Sequence, residues 1–199
     1  MDIYTPYRTI TREQFLFYEM RIVAKLLDEG KTKDQVVQEI YENNLFQYPT
    51  EKMIKNITHV CLNRFESVNS DAFIYIIAHE SSTAAKQACL FLMMNYYRLV
   101  WEFMISVIGE KYRTKDFTLT KMDMNSFFSC LQEQVDSVSA WSDATVKKCK
   151  SVLKKILIEN GYLDNSRSEV LNPVLLDFRV KEAIENTNNT QALIAFGCM

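Results

Sequence analysis

Four glycines and three prolines in a chain of 199 residues leave few positions suited to a sharp reversal of direction. A β-sandwich or barrel must turn roughly every ten residues, and Gly and Pro supply most of those turns. Their scarcity predicts an all-α fold, a compact multi-helix globule with short connections. Apolar residues are 48% of the chain and aromatic ones 12%, enough for a sizeable core, so disorder is not expected.

The period of the apolar residues places the helices. Thr11-Arg12-Glu13-Gln14 has the T-x-x-Q form of a capping box, in which a hydroxyl and an amide satisfy backbone groups at a helix start. Phe15, Tyr18, Ile22, Val23, Leu26 and Leu27 follow at a spacing near 3.6, and Gly30 is placed as a left-handed stop; a first helix is expected over 12–29. Thr32-Lys33-Asp34-Gln35 repeats the capping form and opens a short helix to 43. Thr50 caps a third helix, 51–66. Its apolar arc holds Met53, Ile54, Ile57, Val60, Cys61 and Phe65, and Lys52, Lys55, Asn56, His59 and Asn63 share the opposite arc. Two helices with a tight break between them resemble a helix-turn-helix.

Ser70 is expected to start a brief helix to 77, and residues 81–83 to cap a long core helix ending at Gly109. A loop over 111–120 follows. Thr120 caps a helix to 135 with Met124, Phe127, Phe128 and Leu131 on its apolar side, and a break spans 136–141. Ser142 is a good N-cap, Asp143 suits the positive helix end, and Trp141 with Val146 is placed as a hydrophobic staple for a helix over 143–160. Beyond Gly161, residues 162–163 and 170–176 read as a short hairpin whose second arm Pro173 confines to an edge. Helix, break, long helix and hairpin is the order of a winged helix. A last helix is expected over 178–186, and the apolar stretch 192–199 should dock on the body. If the chain divides, the 111–118 loop is the place. Residues 1–110 would then carry the first helix-turn-helix and 111–199 a winged-helix-like region; one compact unit fits the pattern equally.

Residues 88–108 are largely apolar and about as long as a bilayer demands. They contain Asn95, Arg98 and Glu102, and a charge near the centre of a spanning helix costs about 2.5–3.5 kcal/mol. Arg98 and Glu102 also stand at i,i+4 on one face. These features predict a core helix with a paired polar face and no stable membrane insertion. No basic-then-apolar leader opens residues 1–11. The five cysteines are odd in number, scattered and without a C-x-x-C pair, which fits a reducing compartment. A cytoplasmic location is expected.

Motifs for catalysis are missing. His59 and His79 are the two histidines, and neither belongs to a metal-binding H-E-x-x-H or H-x-x-E-H pattern. There is no phosphate-binding loop, dinucleotide fingerprint or G-x-S-x-G elbow, so neither an enzyme nor a cofactor is expected. The formal net charge is −2, and any basic surface must therefore be local. Such a surface is present: Lys147, Lys148, Lys150, Lys154 and Lys155 project within 160° of one another opposite the apolar arc of their helix, with Ser151 between them. Residues 111–155 carry nine basic against five acidic residues, and 156–199 three against six. Charge is thus concentrated on the would-be recognition helix. A bare charge run ordinarily means a solvated face; this concentration shifts the balance toward nucleic acid. Lysines supply phosphate attraction with little base information, joined by Arg167 in the expected wing and by Lys52 and Lys55, while Asn56 and Asn63 can pair with adenine edges or simply be exposed polar residues. His59 reads as merely exposed. Arg64 falls on an apolar arc, where a buried ion pair is expected.

Three stretches together resemble the BrxA family of BREX phage-defence systems: Tyr18-Glu19-Met20-Arg21-Ile22-Val23-Ala24-Lys25-Leu26-Leu27; Leu62-Asn63-Arg64-Phe65-Glu66 at the end of the Thr50 helix; and the helix between Trp141-Ser142-Asp143-Ala144-Thr145 and Glu159-Asn160-Gly161-Tyr162-Leu163. The resemblance spans almost the whole chain but rests on long diffuse patterns, with no catalytic signature to carry over. It implies a compact helical protein with helix-turn-helix elements, partly similar to the antitermination factor NusB, that binds double-stranded DNA among other BREX components. Members have also carried an inner-membrane label, which the charged 88–108 segment opposes. Two other readings stand beside it: a scaffold binding acidic partner proteins of the same system, and an RNA binder similar to NusB.

Overall fold

A computed structural model describes residues 6–198. Its α-helices are α1 (Phe17–Asp28), α2 (Lys33–Glu42), α3 (Glu51–Glu66), α4 (Asp71–His79), α5 (Ser82–Tyr96), α6 (Arg98–Phe103), α7 (Glu110–Thr114), α8 (Lys121–Gln134), α9 (Asp136–Ser139), α10 (Asp143–Glu159) and α11 (Phe178–Glu185). A π-helical segment, Met104–Gly109, joins α6 to α7, and a 3₁₀ helix, Thr190–Phe196, closes the chain. Helix covers about two thirds of the described residues, twice the usual share. No β-strand forms among them, and the all-α expectation holds.

Helix starts that depend on neighbouring residues fall where the sequence places them. Thr32 and Gln35 form a reciprocal capping box at α2, with Thr32 N donating to Gln35 Oε1 at 2.8 Å. Thr50, Thr120 and Ser142 each accept a backbone N–H three residues on, opening α3, α8 and α10. Buried side chains surround α5, whose residues 88–94 are all 1% exposed or less. α4 packs on α5 and α1 on α4, and α11 covers both α4 and α5.

The first helix begins five residues later than its apparent capping box predicts. Arg64 of α3 is fully buried. Its guanidinium donates to the carbonyls of Gln14 at 2.7 Å, Phe15 at 2.8 Å and Glu13 at 3.2 Å. Successive carbonyls of an α-helix are rotated about 100° from one another around its axis, so three consecutive ones that converge on a single guanidinium do not fit a helix, and residues 11–16 run as an irregular strap. Leu16, in the left-handed region at φ 59°, then turns the chain into α1. Arg64 is buried as expected, but its partners are carbonyls and not a carboxylate.

The expected long core helix is broken at Tyr97, which is extended at φ −116°, ψ 109°. Just before it, Asn95 Nδ2 donates to Phe91 O at 2.8 Å, a side chain competing for a helical carbonyl. The Tyr97 ring lies 5.3 Å from Arg64, and its hydroxyl donates to Glu13. Burial pushes that phenol's pKa up and keeps it a donor. The Arg98–Glu102 pair forms at 2.8 Å as its spacing predicts. Among the described residues no helix is long and apolar enough to cross a membrane.

The expected hairpin does not form as strands. Tyr162, Leu163 and Leu171 are all buried, and two adjacent buried residues break the alternation a half-exposed strand requires. Among the described residues a single backbone hydrogen bond, Asn172 N to Tyr162 O at 2.9 Å, joins the two arms, and the Asn172 side chain donates to Gly161 O and Asp164 Oδ1 beside it. The second arm reaches back instead to the residues before α8, through one antiparallel bridge between Thr118 and Val170. The tail docks as expected over its described part, with Ala192, Ala195 and Phe196 buried; residue 199 lies outside the described residues.

Candidate nucleic-acid interface

α10 divides cleanly into two faces. Val146, Cys149, Val152, Leu153, Ile156 and Leu157 are buried, and burial pushes the Cys149 thiol pKa up. Lys147, Lys148, Ser151 and Lys155 are exposed on the other side, with Lys150 and Lys154 half-buried at its margins. From Lys147 to Lys155 the row runs about 12 Å along the helix axis, at 1.5 Å per residue.

What marks this row is the clustering of cations without carboxylate partners on one helix face. Among the described residues none of its five lysines forms an ion pair, whereas eight of the other eighteen lysines and arginines do. Lys150 donates to Asn125 Oδ1 at 2.8 Å and Lys155 to Gln14 Oε1 at 2.8 Å, both neutral acceptors. Like charges three or four residues apart on a helix repel by about 0.2–0.5 kcal/mol per pair. α10 carries two such pairs, Lys147 with Lys150 and Lys150 with Lys154, and an external anion would relieve the repulsion.

The polar arc of α3 is also outward. Lys52, Lys55, Asn56, His59 and Asn63 are exposed, although Lys55 sits over the Tyr41 ring at 4.2 Å and Asn63 Nδ2 contacts Tyr96 Oη at 3.4 Å. The two ends of this arc serve different neighbourhoods. Asn63 lies with Tyr96 and Arg8, which donates to the same hydroxyl at 3.2 Å. Lys52 and Asn56 border the strap, and across the strap lies Lys155. The structure therefore brings one end of the lysine row toward one end of α3. Arg167 is exposed in a separate turn, where Asn165 Oδ1 accepts its backbone N–H at 2.9 Å. No hydrogen bond or ion pair among the described residues links it to the row.

Sequence reasoning missed Arg12. Assigned to a helix cap, it is instead exposed on the strap, bordering the clefts on both of its sides. Tyr18 and Met53, both placed by periodicity on apolar arcs, are likewise exposed, at 57% and 42%. Among the described residues no group of three or more His, Cys, Asp or Glu side chains is arranged to hold a metal ion.

These features define a protein that is all-α among the described residues and carries a clustered basic face whose end on α10 approaches α3. Comparison with known proteins narrows the class. The BrxA family profile matches residues 6–188. The BREX protein BrxA of Bacillus cereus (strain H3081.97) is 36% identical over 169 residues, 84% of either chain. The BREX protein BrxA of Paramagnetospirillum magneticum (strain ATCC 700264 / AMB-1) is 25% identical over 176 residues, covering 88% of this chain and 87% of its own. A crystal structure of an uncharacterized protein from Magnetospirillum magneticum shares the fold, with a TM-score of 0.81 at 23% identity over 98% of this chain and 99% of that one. The chain belongs to the BrxA family.

Proposed function

We propose that this chain is a non-catalytic component of a BREX phage-defence system and binds double-stranded DNA through the lysine face of α10. The observation that carries this reading is the clustering: five lysines share one helix face, and among the described residues none of them is paired with a carboxylate. Phosphates on one strand of B-DNA recur about every 3.4 Å along the axis, so the 12 Å row is commensurate with several of them. Lysine contacts of this kind position a protein on DNA without reading its sequence. Family membership supplies the setting, among other BREX components, and nothing in the lysine row requires a cofactor.

The test is a salt series with duplex DNA. Changing Lys147, Lys148, Lys154 and Lys155 to Ala should weaken binding across all sequences and leave the melting temperature nearly unchanged, because alanine favours helix and none of the four lies in the core. If each lysine displaces one counterion, the slope of log affinity against log salt should shrink by about 0.9 per residue removed. A quadruple variant that binds as tightly as the parent at every salt concentration would make the row a solvated surface, and the scaffold reading would replace this one.

A further inference from the structure

The strap of residues 11–14 has a cleft on either side, of about 670 Å³ toward α3 and 430 Å³ toward α1 and α10. Arg12, Gln14, Met53 and Ile57 border both, so the two form one groove crossing the strap. Its floor is apolar: Met53, Ile57 and Val60 line one half, and Phe17, Tyr18 and Tyr48 the other. Two of the molecule's exposed large hydrophobic side chains, Tyr18 and Met53, stand in this groove.

The charges of the groove are arranged asymmetrically. Arg12, Lys52 and Lys155 are exposed and form no ion pair among the described residues. The carboxylates of the lining each have a partner within the protein. Glu13 accepts from the buried Tyr97 hydroxyl, Glu19 from the Tyr48 hydroxyl, and Glu159 pairs with Lys86 at 3.2 Å. The three cations thus have no carboxylate partner, while each of the three carboxylates already accepts from a neighbouring side chain.

An apolar floor with a cationic rim does not match duplex DNA, whose outer surface offers phosphates and base edges with the base faces stacked away. It matches an unpaired strand, whose bases can lie on aromatic and apolar side chains while its phosphates meet lysine and arginine. Lys155 belongs both to the α10 row and to the groove. We propose that the groove binds single-stranded DNA, making the preferred ligand a junction whose duplex lies along α10 and whose unpaired tail enters between the strap and α3. The junction rests on the duplex reading above; the groove itself does not.

Binding of the full chain to three labelled probes tests this: a blunt duplex, the same duplex with an oligo-dT tail, and oligo-dT alone. The tail should tighten binding by about 5-fold or more, the smallest effect expected of one stacked base. The double variant Arg12→Ala/Tyr18→Ala should lose that gain while holding blunt duplex as the parent does. Tyr18→Phe, which keeps the ring, should retain it. A triple variant, Lys147→Ala/Lys148→Ala/Lys154→Ala, which leaves Lys155 in the groove, should bind blunt duplex weakly and still gain from the tail. A parent that gains nothing from the tail, or a double variant that gains as much as the parent, overturns the proposal. So does tighter binding of oligo-U than of oligo-dT, which would make the groove an RNA site, or displacement of oligo-dT by polyglutamate as readily as by unlabelled oligo-dT, which would make it a protein site. Tight oligo-dT binding with no affinity for blunt duplex would remove the duplex reading and leave the groove standing.

Discussion

Replacing Arg64 by Met keeps a long, flexible side chain in a buried position and removes its charge and all its donors. Three carbonyls, that of Phe15 buried and those of Glu13 and Gln14 part-buried, then lose the guanidinium that now bonds them at 2.7–3.2 Å. An unsatisfied buried acceptor costs about 1–3 kcal/mol. The lost contact with the Tyr97 ring at 5.3 Å adds about 0.5–2 kcal/mol. Removing an unpartnered buried Nε and the desolvation cost of the cation offsets part of this, so a net loss of about 3–5 kcal/mol is expected, the scale seen on breaking a buried charged contact. In a protein of this size that lowers the melting temperature by about 6–20 °C. Arg64→Lys keeps the charge but has a shorter reach and no planar fork, so it should recover only part of the loss. The damage should also be local before it is global. The strap depends on these bonds for its conformation, so trypsin should cut after Arg12 faster in Arg64→Met than in the parent under native conditions. Urea titration measures the first effect and timed proteolysis the second. An Arg64→Met protein within about 1 kcal/mol of the parent, with Arg12 equally resistant, would refute the assignment of the strap's conformation to this side chain.

Gly109→Ala puts a Cβ 2.6 Å from Ile194 Cγ2 and 3.4 Å from Ile194 backbone atoms; overpacking of this kind costs about 1–3 kcal/mol, partly offset by alanine's helix preference. Adding Ile194→Ala should make the two changes non-additive in a double-mutant cycle, and simple additivity would sink the contact as the cause. Asp177 is held below its ordinary 3.8 mainly by hydrogen bonds from Arg179, at 3.0 Å from Nε and 2.8 Å from Nη2. Its contribution to stability is therefore complete above that value and disappears as pH falls through the lower folded-state value. Asp177→Asn, which can still cap α11, should flatten the dependence of unfolding free energy on pH below about 4; an unchanged slope in acid denaturation would show that the pair is not linked to folding.

The caps at Thr32, Thr50, Thr120 and Ser142 were legible because a cap is decided within four residues by groups that meet whatever the rest of the chain does. The lysine row was legible for the same reason: helical spacing alone fixes which side chains of α10 share a face. The same local logic fails at residues 11–14. There the capping box is chemically sound, but Arg64, fifty residues away in sequence to Gln14, claims the carbonyls a helix would need. Neither the break at Tyr97 nor the missing hairpin is local either. One depends on a ring held against Arg64 and Glu13, the other on core positions taken by both Tyr162 and Leu163.

That failure explains where the second half of the candidate interface was hidden. Read along the chain, Arg12 belongs to a helix cap, and Tyr18 and Met53 to apolar arcs. Once Arg64 holds the strap out of a helix, Arg12 projects from an irregular segment between α3 and α10. α1 begins one turn later, and Tyr18 stands in its first turn beside the groove instead of beneath it. A buried cation with carbonyl partners thus leaves a second, exposed cation without any, and creates beside it an apolar surface that periodicity assigns to the core. The Arg64→Met variant consequently bears on function as well as stability. At a temperature where it remains folded, it should lose the gain from an oligo-dT tail along with its protease resistance, while the affinity of α10 for blunt duplex stays close to that of the parent. Equal loss on both probes would mean that the strap supports the lysine row itself, and that the groove and the row are not separable surfaces.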